Sequence, residues 1–79
     1  MYVSVGFHDS ATNAFKTTGY TYFTTLPLNV GDIVTAPVKN RKTGEVDGKK
    51  AMVLAVGLDE PKFPCSEITT MWTEEENNG

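Results

Sequence analysis

Apolar and polar residues alternate from the start of the chain, with Val3, Val5 and Phe7 set against Ser4, Gly6 and His8. A period of two belongs to a strand with one buried face, so residues 1–8 are predicted as a strand. Residues 9–18 (DSATNAFKTT) are rich in turn formers, whose side chains compete for backbone hydrogen bonds. A second strand is predicted over 20–25 (YTYFTT), filled by aromatic and β-branched residues, and it pairs with the first as a long-looped hairpin. Pro27 excludes a central strand position at 26–32, and Asn-Val-Gly-Asp there reads as a turn entering a strand over Asp32–Val38 that Pro37 ends or bends.

Residues 39–48 (KNRKTGEVDG) form the longest polar stretch and are expected to be an exposed loop or hairpin tip. Over 49–58 both faces are apolar: Met52, Leu54, Val56 and Leu58 on one, the smaller Ala51, Val53, Ala55 and Gly57 on the other. That is the pattern of a central strand in a closed or tightly curled sheet. Two prolines exclude regular structure at 59–64. For 66–72 two readings stand: a short helix capped by Ser66, with Ile68 and Met71/Trp72 at helical spacing, or a final short strand. The expected architecture is a mainly β, SH3-like or OB-like barrel of about five strands over 1–72. An acidic tail, 73–79, is expected to be disordered.

Composition narrows the functions. Seventy-nine residues allow one small core. Cys65 is the single cysteine and His8 the single histidine, which excludes an intrachain disulfide and argues against a zinc centre; no metal and no cofactor is expected. No apolar run approaches the roughly 18–20 residues that span a bilayer, and no signal-peptide pattern opens the chain, so a soluble, cytoplasmic protein without membrane contact is expected. The net charge of −3 hides an asymmetry. Lys39, Arg41, Lys42, Lys49 and Lys50 make a basic middle, whereas Asp59, Glu60, Glu67 and Glu74–Glu76 make an acidic end.

The run YTYFTTLPLNVGDIVTAP at 20–37, followed by a basic loop and KKAMVLAV at 49–56, resembles small β-barrel proteins of bacteriophages and prophages. More distantly it resembles the N-terminal DNA-binding domain of the primosomal replication helicase. The second resemblance implies that Tyr20 and Tyr22 stack or pack and that Lys39 and Arg41 touch phosphates of a single-stranded DNA end. The chain departs from the helicase in its acidity, in lacking a motor, and in carrying Val38 where the helicase has glycine after the proline.

Each candidate site has an ordinary reading beside the functional one. Lys39, Arg41, Lys42, Lys49 and Lys50 form either a phosphate-binding patch or a solvated hairpin tip. Tyr20 and Tyr22 share a face opposite Phe23 and are either a stacking platform or core. The acidic 74–76 either mimics a nucleic-acid backbone or is a solvated tail. His8, Asp9 and Ser10 are adjacent on a strand end, so they cannot form a catalytic relay, and Asp9-Ser10 reads as a turn start. Cys65 has no sequence-adjacent base and reads as structural. The expected function is a phage-encoded, non-enzymatic binding module that docks on a host or phage protein; the alternative is a barrel that binds single-stranded DNA through its aromatic strand and basic loop. A homo-oligomer is compatible with the small core.

Overall fold

The first strand forms where the alternation places it. In the computed structural model, which describes residues 1–73, β1 spans Tyr2–Asp9 with Val3 and Val5 fully buried and Phe7 packed against the core. β2 (Ala14–Phe15) folds back on its end, and β3 (Tyr20–Thr24) pairs antiparallel along its first half, Val3 opposite Tyr22. β4 (Ile33–Lys39) and β5 (Val46–Leu58) make a long antiparallel hairpin. β5 then continues past β4 to pair with β1, with register shifts between Tyr2 and Val5. One strand thereby serves both halves of the sheet, and such irregularities supply the bend a small barrel needs.

The turns follow from local chemistry. Asp9 Oδ1 accepts the Ala11 N–H, so Asp9 starts a turn as its neighbours suggest. Asp32 Oδ2 accepts the Asn29 N–H, and Gly31 takes φ +97°, a conformation costly for any side chain, just before β4. The polar stretch is narrower as a loop than its composition implies: the tip is Asn40–Glu45, closed by the Asn40 N–H to Glu45 C=O bond, and Val46–Gly48 already belong to β5.

Of the two apolar faces of β5, the small one points inward. Ala51 and Val53 are fully buried beside Val34, Ala36, Val3 and Val5, while Met52 and Leu54 are half-buried outside. A barrel this narrow has room inside for little beyond valine and alanine.

The helical reading of 66–72 is overturned. The segment forms β6 (Glu67–Ile68), parallel to β3, and β7 (Thr70–Met71), antiparallel to β4, and no helix occurs among the described residues. Its hydrogen bonds run to distant chain: Phe23 N–H to Ser66 C=O, and Trp72 N–H to Ile33 C=O. Helical i,i+4 bonding would forfeit them. Since the sheet order is β6-β3-β1-β5-β4-β7 and β6 and β7 are separated only by Thr69, the two ends of the sheet meet and the barrel nearly closes. Ile68, fully buried, plugs the seam. The acidic tail, apart from Thr73, lies outside the described residues.

Closure is incomplete at one end. β6 reaches only Phe23 and Thr24 of β3, and β7 only Val34 and Thr35 of β4. Beyond them the edges of β3 and β4 face each other unpaired, and the Tyr22 hydroxyl spans the gap to donate to the Pro37 carbonyl at 2.9 Å. Pro37 therefore neither ends β4 nor breaks it: the strand runs on to Lys39, and the missing N–H falls on the gap side, where no strand asks for it.

Candidate binding cleft

The inward faces of β1, β3, β4 and β5 continue past the core and open into a cleft of about 730 Å³. Its apolar walls are Phe7, Tyr20, Tyr22, Val38 and Trp72, and Lys49, Lys50 and His8 stand among them. The aromatic rings hold one another. Phe7 meets Tyr20 edge-to-face at 5.2 Å and Tyr22 at 6.4 Å. His8 is fixed by an edge contact to Phe15 at 5.1 Å and by a 3.2 Å hydrogen bond between Nε2 and Asn13 Oδ1.

The two tyrosines on the same face do different work. Tyr22 is buried, and burial first, then the neighbouring Tyr20, pushes its phenol above the ordinary tyrosine value. It stays protonated and keeps donating to Pro37, so it is floor rather than platform. Tyr20 is 51% exposed and presents an open ring. Tyr20 also lines a second groove of about 610 Å³, shared with Tyr22, Arg41 and Phe63.

Of the basic residues singled out from the sequence, Lys49 and Lys50 thus line the cleft and Arg41 lines the neighbouring groove, and Tyr20 lines both. Lys39, opposite Val46 at the end of β4, and Lys42, in the hairpin turn, are exposed and line neither. Phe7, Trp72 and Val38 were not anticipated as site residues. Phe7 carried only a core signal, and Trp72 comes from the far end of the chain, where nothing in its neighbours connects it to Tyr20.

Trp72 brings one unusual feature. Its Nε1–H is buried and has no hydrogen-bond partner among the described residues.

Comparisons with protein-family models, with curated proteins and with solved structures found no match.

Proposed function

We propose that this barrel is a non-enzymatic binding module that holds single-stranded nucleic acid across Tyr20. The observation that carries the reading is one half-exposed aromatic ring that lines two grooves, the first also lined by Lys49 and the second by Arg41. A base stacks on an aromatic face for about 1–3 kcal/mol, whatever its identity. Cations flanking that ring are where the phosphates on either side of a stacked base run. A duplex keeps its bases paired and cannot offer a face to Tyr20. The distant likeness to the helicase domain points the same way for Tyr20 and Arg41.

Fluorescence anisotropy of a labelled single-stranded oligonucleotide tests this. With two phosphates engaged, the logarithm of affinity falls with a slope of about −1.4 against the logarithm of salt, so binding weakens roughly sevenfold between about 50 and 200 mM. The Arg41→Glu/Lys49→Glu double variant is expected to lose at least about tenfold at low salt and to flatten the slope below about 1. Absence of binding at low salt, where attraction is strongest, sinks the proposal.

Docking on a host or phage protein is the second reading. A separate observation favours it: Phe63, 59% exposed, stands out from the loop between β5 and β6.

A further inference from the structure

The loop carrying Phe63 walls a groove of about 530 Å³ on the outer side of the barrel, and its lining is unlike that of the cleft. The floor is Tyr2 and Phe23, directly opposed on β1 and β3, with rings edge-to-face at 5.4 Å. Phe63 forms one wall, held between Pro61 and Pro64, which limit the loop's freedom and so lower the entropy lost when a partner covers it. Glu60 and Glu67 bring two carboxylates to the lining against the one ammonium of Lys62. The Tyr2 phenol sits above its ordinary value, through desolvation first and then through Glu60 and Cys65, and the Glu60 carboxylate stands close to the floor.

Aromatic faces and carboxylates together are the surroundings a guanidinium seeks. The rings attract the cation through their quadrupoles, and carboxylate oxygens accept its N–H groups as charge-assisted hydrogen bonds. We propose that this groove docks an arginine-bearing extended segment of a partner protein, with the guanidinium against Tyr2, Phe23 and Phe63 and within reach of Glu60 and Glu67. The inference deepens the protein-docking reading and rests on it. It is separable from the cleft, since neither Tyr20 nor Lys49 lines this groove, while Phe63 is shared with the groove beside Arg41.

The test is anisotropy of a labelled peptide alternating arginine and glycine, titrated with the full chain. Binding is expected to fall at least about tenfold in Glu60→Lys/Glu67→Lys, and about as much in Phe63→Ala, which leaves the charge untouched. Phe63 is exposed, so the latter variant folds normally. Tyr20→Ala and Lys49→Glu are expected to bind the peptide as the parent does, which separates this site from the cleft. Glu74→Gln/Glu75→Gln/Glu76→Gln controls for general attraction to an acidic chain and is expected to retain binding. No binding by the parent, or binding lost in the tail variant but not in Phe63→Ala, overturns the proposal.

Discussion

Gly6→Ala is expected to cost about 3 kcal/mol, lowering the thermal midpoint by roughly 12–24 °C. A Cβ built at Gly6 falls on the backbone carbonyl of Lys16, and the same Cβ comes within 3.2 Å of Leu54 Cδ1. The obstacle is main chain, not the end of a flexible side chain, so it yields only if the returning segment lifts away. That segment is tied down: Lys16 N–H donates to the Phe7 carbonyl at 2.9 Å, and β2 pairs with His8 and Asp9. Against a total stability of roughly 4–12 kcal/mol for 79 residues, the loss is a large fraction. Urea and thermal denaturation measure it, and faster amide exchange at Lys16 would show that the segment has detached. A midpoint unchanged from the parent would mean that the chain does not cross over Gly6.

Thr24→Val is expected to cost about 2–3 kcal/mol although it preserves shape. Thr24 is fully buried, and its hydroxyl serves two partners. It donates to the Ile68 carbonyl at 2.9 Å and accepts the Leu26 N–H at 3.0 Å. Valine fills the same space but leaves a buried carbonyl and a part-buried N–H without partners, and the desolvation penalty of each then counts in full. The Ile68 carbonyl belongs to the seam, so the variant is expected to loosen β6 first. Thr24→Ser, which keeps the hydroxyl, is expected to recover part of the loss in the same denaturation experiment. Equal stability of the valine variant and the parent would contradict the hydrogen-bonding of the seam.

Much of this barrel was legible because its strands bury one face. The alternation in β1, the aromatic and β-branched run of β3 and the Gly-Asp turn before β4 each reflect a local preference that agrees with the final fold. Where local chemistry was ambiguous, distant partners decided. Ser66, Ile68 and Met71/Trp72 fit a helix as well as two strands broken at Thr69. The choice went to strand because the edges of β3 and β4 offered hydrogen-bond partners that this segment pairs with on both sides. Pro37 looked like a terminator for the same reason. That its missing donor faces a gap depends on where β7 stops.

The site was legible in part. Tyr20, Arg41, Lys49 and Lys50 could be singled out as chemistry-bearing residues, and the shared face of Tyr20 and Tyr22 follows from period-two alternation. Which tyrosine is exposed does not follow, because it depends on how far β6 covers β3. Nor does the arrival of Trp72 beside Phe7, residues far apart in sequence that only barrel closure brings to one cleft.

Trp72 is the single tryptophan of the chain and lines the cleft, so its emission reports on that cleft alone. The most direct test of the account is therefore titration of the intact protein with an unlabelled single-stranded oligonucleotide at low salt while following tryptophan fluorescence. The account predicts a saturable change in emission, at the same midpoint as the anisotropy, that disappears in Tyr20→Ala. Binding seen by anisotropy with no change at Trp72, or with a change that Tyr20→Ala leaves intact, would place the nucleic acid elsewhere and contradict it.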